Sequence, residues 1–195
     1  MKTISRAYDS YAQARAAVEA VEKAGIPSAD VSIVANKYVS AEYADVDDVN
    51  GAAAGAGIGG ALGAGAGLLA GLGLLAIPGL GPVVAAGWLA SAAAVAAGGA
   101  VAGGIVGALV DAGTDREHAD VYAESVRRGG TLVTVRVPDQ DAARAEALLD
   151  QYRPIDPVER GAEYRKGGWK TFDPKAPPYR PSDAEIGRLR SNWPR

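Results

Sequence analysis

A glycine-rich hexapeptide is the first feature of this sequence that could do chemistry. Gly55-Ala56-Gly57-Ile58-Gly59-Gly60 matches the G-x-G-x-x-G pattern, in which backbone amides hold the pyrophosphate of a dinucleotide. Such a site needs a strand directly before it and an acidic residue about 20 positions later. The preceding residues 45–50 include three aspartates, and no acidic residue follows until Asp111. In a segment that is nearly one-third glycine the match is expected by chance, so we predict no cofactor.

The other reactive side chains are few and isolated. The chain has no cysteine, which excludes disulfides, thiol chemistry and a Cys/His zinc site. His118 is the only histidine and lies beside Glu117 in a predicted helix, where we expect it to be solvated. Loop solvation and helix capping explain the aspartate pairs Asp47-Asp48 and Asp139/Asp141 more simply than a metal does. No serine lies in a G-x-S-x-G setting. We therefore predict a protein with no metal site and no catalytic residue, not an enzyme.

Charge is distributed very unevenly along the 195 residues. The segment Gly51–Val110, called the uncharged window below, contains no Asp, Glu, Lys, Arg or His and holds 18 of the 26 glycines. Residues 1–50 carry a net charge of −3, residues 111–152 carry −4, and residues 153–195, called the tail below, carry +4, which sum to −3. A nucleic-acid-binding protein normally has a basic face on its folded part. Because both flanking segments are acidic, we predict no nucleic-acid partner.

The segments on either side of the window read as two halves of one α/β domain. Residues 1–50 predict a strand over Thr3–Tyr8, a helix opened by a capping box at Ser10, a strand over residues 30–35 and a weak strand over Lys37–Tyr43. Residues 111–152 predict a helix opened by a capping box at Thr114-Asp115-Arg116-Glu117, a strand over Thr131–Val137 and a helix capped by Asp139. Neither half can bury its own sheet, because a strand pair alone is marginal. The prediction is an α+β fold, a small ferredoxin-like split β-α-β domain interrupted by the window.

The window itself predicts an antiparallel helical hairpin. Glycines recur at every fourth position in its first arm, which places them on one stripe of a helix where another backbone can approach closely. A second arm from Val83 to Val110 repeats the frame and is interrupted only at Val95. Proline and glycine between the arms predict a turn. The packing positions are Gly51, Gly55, Gly59, Gly63, Gly67, Gly71, Gly87, Ser91, Gly99, Gly103 and Gly107, and the turn residues are Pro78, Gly79, Gly81 and Pro82.

The hairpin must be covered, since glycine costs about 1 kcal/mol per residue relative to alanine in a helix exposed to water. Each arm could reach ~40 Å at 1.5 Å per residue, enough for a hydrocarbon core of ~30 Å. Two crossings return the chain to the side where its half-domains meet. The apolar stretch Leu68–Leu80 favours lipid, whereas the weakly apolar Gly/Ala ends favour burial among sister hairpins. We expect a homo-oligomer at the bacterial inner membrane with a cytoplasmic α/β domain, or else a soluble cytoplasmic assembly.

The tail, Arg153–Arg195, predicts an extended arm. It contains seven prolines and a capping-box sequence that predicts a short helix over residues 183–190. Isolated aromatic residues in a basic, proline-rich segment indicate docking, either on its own domain or on a neighbour, and we expect a sister subunit. The docking residues are Trp169, Phe172, Tyr179 and Trp193.

Several segments resemble the bacterial general stress protein 17M-like domain family. The similarity lies in Tyr8-Asp9-Ser10-Tyr11, in residues 24–34 and in residues 129–137. The Gly-Leu-Leu-Ala-Gly-Leu-Gly stretch and residues 77–84 are similar to the version with a glycine-zipper insertion. The resemblance covers about residues 1–152. It implies a stress-linked, non-enzymatic protein and supplies no catalytic residue.

Three functions follow as hypotheses. The first is a self-assembling, membrane-associated stress protein whose glycine-zipper hairpins insert and pack. The second is a soluble homo-oligomeric scaffold or shell whose hairpins bury one another. The third is a ferredoxin-like regulatory module that binds a small ligand and uses the hairpin as an anchor.

Overall fold

The computed structural model describes residues 1–36, 73–77, 81–89 and 104–176. Short 3₁₀ turns at Ser28–Asp30 and Asp139–Asp141 precede the second strand and the fourth helix. The elements in chain order are β1 (Lys2–Tyr8), α1 (Tyr11–Lys23), β2 (Val31–Asn36), β3 (Gly73–Ile77), β4 (Gly81–Gly87), α2 (Gly104–Asp111), α3 (Arg116–Arg127), β5 (Thr131–Val137), α4 (Ala142–Asp150) and α5 (Pro157–Lys166). The weak strand predicted over Lys37–Tyr43 and the helix predicted over residues 183–190 lie outside the described residues.

The five described strands form one sheet in the order β1-β5-β2-β4-β3. Every neighbouring pair is antiparallel, so β1 and β2 run parallel to each other on either side of β5. With α1 between them in sequence, β1 and β2 make a split β-α-β unit. Strands from both sides of the uncharged window therefore belong to one mixed α/β domain.

Helices cover both faces of this sheet. On one face α1 and α4 pack over a cluster that includes Ile4, Val18 and Val133. On the other face α2 and α3 pack over a cluster that includes Val34 and Leu132. A two-layer ferredoxin-like domain keeps its helices on one face, so the predicted arrangement is wrong in this respect. The physical reason is that β2 and β5 carry buried residues at successive positions, with both faces of each strand covered.

The helical hairpin predicted for the window is wrong over residues 73–77 and 81–87, which are β3 and β4. β4 pairs with β2 from Ser32↔Gly87 to Asn36↔Val83, and β3 pairs with β4. All six residues of β2 are buried, and its backbone needs a partner strand on each side. The window supplies that partner. Among the described window residues, α2 at the end of the second predicted arm is helical, and so are Trp88 and Leu89 after β4.

The predicted cap of α1 is confirmed, whereas the other two caps differ in detail. Ser10 Oγ accepts from the amide of Gln13 at 3.3 Å. Asp115, not Thr114, caps α3, and its Oδ1 accepts from the amide of Glu117 at 2.9 Å. Thr114 instead places its hydroxyl 3.1 Å from that of Ser5 on β1. Asp115 is one position closer to the helix than Thr114, and it is the capping residue because its carboxylate accepts from two successive amides.

The last predicted cap is also displaced. Asp139 lies in the 3₁₀ turn before α4 and pairs with the amino group of Met1 at 3.3 Å. α4 begins at Ala142, three residues later. The predicted helix is nevertheless present, and its residues Ala142, Ala145 and Leu149 are buried.

Candidate functional site: the uncharged window and the docked tail

The described residues on either side of the stretch 90–103 are buried in the domain core. Leu89, directly after β4, is fully buried. Ile105 and Leu109 on α2 are also fully buried, in the same cluster as Ala119 and Val126 of α3. The chain is therefore anchored in the core at Leu89 and again at Ile105, on either side of residues 90–103, which lie outside the described residues.

Gly87 allows two strands, not two helices, to approach closely. Its φ is +89°, in the left-handed region, and a Cβ built on it would lie 2.2 Å from the carbonyl oxygen of Val31. The same Cβ would lie 2.7 Å from the Cα of Ser32, the cross-strand partner of Gly87. Only glycine fits this backbone without displacing β2. The helix-packing role predicted for Gly87 is therefore replaced by a role in the sheet.

Of the ten other predicted helix-packing positions, one lies among the described residues and nine lie outside them. Gly107 lies on α2, where an added Cβ would meet no described atom within 4 Å. The part of the chain that the structure describes thus shows no close helix contact at Gly107. Outside the described residues lie Gly51, Gly55, Gly59, Gly63, Gly67, Gly71, Ser91, Gly99 and Gly103.

The chain reverses direction where the turn was predicted, but the reversal joins strands. Ile77 and Gly81 are cross-strand partners at the close of the β3–β4 pair. Gly81 and Pro82 belong to β4, while Pro78 and Gly79 lie outside the described residues. The β2–β4 register begins at Val83, so Pro82 removes no hydrogen bond between those strands.

The tail begins with a helix that packs on its own domain. The amide of Ile155 donates to the carbonyl of Ala7 on β1 at 2.8 Å. Asp156 then caps α5 by accepting from the amides of Val158 at 2.7 Å and Glu159 at 3.0 Å, with Pro157 in the first turn. α5 approaches α3 closely, since a Cβ on Gly161 would lie 3.0 Å from Val121 Cγ2.

Tyr164 is the centre of the contact between the tail and α3. Its ring is buried, and its hydroxyl lies 3.1 Å from that of Ser125. Trp169 packs edge-on against this ring, with centroids 5.7 Å apart. Phe172 is buried in the same cluster. Of the predicted docking residues, Trp169 and Phe172 thus contact this chain's own domain, and Tyr179 and Trp193 lie outside the described residues.

Polar contacts connect the tail to β1 and α3. Arg160 on α5 pairs with Asp9 at 2.8 Å, and this hydrogen bond raises the pKa of Arg160 above its ordinary value. Arg165 pairs with Glu117 at 2.8 Å. Further along, the hydroxyl of Thr171 donates to Asp120 at 2.6 Å. These contacts reach three separate positions, so the tail is held along its described length.

Beneath the tail, α3 carries a buried carboxylate. The side chain of Glu124 is only 2% exposed and accepts from Arg127 Nε at 2.9 Å and from Arg128 Nε at 2.6 Å. The guanidinium carbon of Arg128 lies 4.3 Å from the centroid of the Tyr164 ring. A carboxylate this deeply buried is stable only when it is paired. Glu124, Arg127 and Arg128, called the Glu124 cluster below, therefore support the docking of Tyr164.

The chemistry considered from the sequence is not assembled in the described residues. His118 lies partly exposed in the first turn of α3, and Asp139 is paired with the N-terminus. No group of three or more His, Asp or Glu side chains among residues 1–36, 73–77, 81–89 and 104–176 could hold a metal ion. Asp47, Asp48 and the hexapeptide 55–60 lie outside these ranges. Of the helices that the structure describes, none has both the length and the apolar character needed to cross a membrane.

Sequence reasoning missed α5 although its start carries a clear signal. Asp156-Pro157 supplies a capping carboxylate and a proline in the first turn, a combination typical of helix N-termini. The high proline count of the whole tail outweighed this local pattern. The β3–β4 pair also had a signal, since two apolar runs flank a Pro-Gly turn.

A substitution at Tyr164 tests the docked tail. We expect Tyr164→Ala to lower the free energy of unfolding by about 3–4 kcal/mol, because it removes a buried aromatic ring. Tyr164→Phe should cost about 1 kcal/mol for the contact with Ser125. Val158→Ala on the same helix is the control, since Val158 is 62% exposed, and it should cost at most ~0.5 kcal/mol. Urea unfolding measures all three, and equal values for Tyr164→Ala and Val158→Ala would contradict the docking.

Comparisons with known proteins add no family. No family model, no curated protein and no solved structure matches this chain.

Proposed function

We propose that this protein is a non-enzymatic, self-assembling protein whose α/β domain presents the uncharged window to other copies of the chain. The observation that carries the proposal is the position of β3 and β4. These uncharged strands form the end of the sheet opposite β1. Residues 73–77 and 81–87 of the window are thus built into the fold at one end of the described sheet.

The composition of the remaining window supports contact with other copies. Residues 90–103 contain only alanine, glycine, valine and one serine, and they start and end at buried anchors. Such small side chains let two backbones approach closely, and they bury little apolar surface within one chain. The glycine row of residues 51–71 has the same property. We propose that these rows pack between copies, as a glycine zipper does.

Lipid is the alternative cover for the same residues. The sequence argument for lipid rested on the stretch Leu68–Leu80, of which residues 73–77 are β3 of the sheet. Assembly is therefore the better supported function, and a stress-related role follows only from the family resemblance.

The test is the size of the purified chain without detergent. We expect sedimentation to give a particle several times the 19.8 kDa of one chain, and no flotation with anionic lipid vesicles. The paired substitution Gly59→Leu and Gly63→Leu should reduce the particle size, because leucine blocks close backbone approach. The control is Ala54→Leu and Ala61→Leu, which adds the same bulk on roughly the opposite side of a helix, at about 100° per residue. A monomer at micromolar concentration contradicts assembly, and flotation favours the lipid alternative.

A further inference from the structure

We propose that the free edge of β3 pairs in antiparallel fashion with β3 of a second copy, which joins two five-stranded sheets into one of ten strands. This inference rests on the self-assembly proposed above and names its interface. β3 has β4 on one side, and no other described strand pairs with it. About half of its backbone N–H and C=O groups therefore point away from β4.

The two edges of the sheet differ in charge. The β1 edge carries Lys2, which pairs with Glu146 on α4 at 2.9 Å, and Arg6, which pairs with Asp150 at 2.7 Å. Charged residues on an edge strand oppose pairing with another sheet, since they would have to be brought together and desolvated. β1 is thus a protected edge.

β3 has none of these protective features. Its sequence, Gly-Leu-Leu-Ala-Ile, contains no charge and no proline, and the nearest charged residues in sequence are Asp48 and Asp111. The one proline of this hairpin that lies in a described strand, Pro82, is on β4 and so does not interrupt the β3 edge. By the criteria of edge-strand protection, β3 is a pairing edge.

A second copy of this chain is the occupant that the charge distribution favours. Antiparallel pairing of β3 with itself about a two-fold axis places uncharged residues opposite uncharged residues, so no like charges meet. The paired length is about 17 Å for five residues, so this strand pair alone buries only part of the ~1,600 Å² typical of stable complexes. The packing between copies proposed above would add to this contact.

Disulfide trapping tests the inference, because the chain has no cysteine of its own. Single substitutions Leu74→Cys, Leu75→Cys and Ala76→Cys are made in the full chain, with Val158→Cys as the exposed control. In an antiparallel pair the residues on the two-fold axis have Cα atoms ~4.5–5.5 Å apart, within disulfide range. One residue from the axis, the two cysteines are offset by about 7 Å along the strand. Mild oxidation should give a disulfide dimer mainly at the one position that lies on the axis, at least tenfold faster there than at Val158→Cys.

The outcomes separate this inference from the proposed function. If the chain assembles but all three β3 cysteines react no faster than Val158→Cys, β3 is not the interface, and another segment of the same chain or another partner covers it. If the cysteines react equally at all three positions, the strands do not pair antiparallel about a two-fold axis and the inference is also overturned. A chain that sediments as a monomer contradicts the self-assembly itself. Three positions are used so that a single variant that fails to fold does not decide the result.

Discussion

A chain that ends at Tyr152 is expected to lose most of its folding free energy, whereas a chain that ends at Ala176 should keep it. The deletion at Tyr152 removes Ile155, Tyr164 and Phe172, all of which are buried in the cluster on α3. Full burial of one large apolar side chain is worth about 1.5–3 kcal/mol, so the three together contribute roughly 5–9 kcal/mol before the entropy of ordering α5 is subtracted. Domains of this size are stable by only about 5–15 kcal/mol.

The shorter deletion, which ends the chain at Ala176, is the matched control for this result. It removes residues 177–195, including Tyr179 and Trp193, but keeps every described core residue. Thermal unfolding followed by circular dichroism compares the two truncated chains with the full chain. If the chain ending at Tyr152 melts within a few degrees of the chain ending at Ala176, the domain is complete without α5 and the observed docking contributes little.

The second large effect is expected at Gly87. Gly87→Ala forces a Cβ to within 2.2 Å of the Val31 carbonyl oxygen, so β2 and β4 must separate or the backbone must change. We expect a loss of about 3–5 kcal/mol, of which the left-handed φ alone accounts for roughly 1–2 kcal/mol. Hydrogen exchange should also show weaker protection of those β2 amides that donate to β4, because β4 is one of the two partner strands of β2.

Gly113 provides the control for the backbone part of that effect. Its φ is +95°, close to that of Gly87, but an added Cβ would meet nothing within 4 Å. Gly113→Ala should therefore cost only the conformational term, about 1–2 kcal/mol. Urea unfolding of the two variants isolates the steric contribution. Equal losses would show that β2 and β4 are not as close at Gly87 as the structure has them.

The elements that sequence reasoning predicted well are those in which local and long-range requirements agree. α1 has a capping serine and an apolar face of Tyr11, Ala14, Val18 and Val21, all of which are buried. β5 has alternating valines that face α1 and α4. In such segments the same residues favour the element locally and bury it in the core, so the pattern is sufficient.

The uncharged window could not be predicted from its pattern alone. An apolar run without charges fits a buried strand as well as a helix, and glycine at every fourth position biased the interpretation toward a helix. What decides the outcome for residues 73–87 is β2, which lies 37 or more residues earlier in the chain and needs a partner. That requirement is non-local. For the same reason, the order of the strands in the sheet could not be predicted from the sequence of any one strand. The packing of helices on both faces of the sheet could not be predicted either.

The candidate site was predicted in part for a similar reason. The aromatic residues Trp169 and Phe172 indicated docking, but their partner, Tyr164, lies on α5, a helix that was not expected. The proline-rich sequence predicts an extended arm in place of α5, and with it docking on a sister subunit. Its own domain provides the surface instead, since α3 carries Ser125 and the Glu124 cluster at the position that Tyr164 reaches.

The position of β5 in the middle of the sheet governs how the chain can fold during synthesis. β1 and β2 have β5 between them, so the first strand cannot find its partner until Thr131–Val137 has left the ribosome. The uncharged window emerges well before that, at a stage when β2 has no central strand beside it. Pairing this distant in sequence is slow, and uncharged apolar segments exposed in the interval are prone to aggregate. During this period the aggregation-prone segment of the nascent chain has been synthesised but cannot yet be buried in the completed sheet. A chaperone that binds residues 51–110 would have its largest effect at this stage.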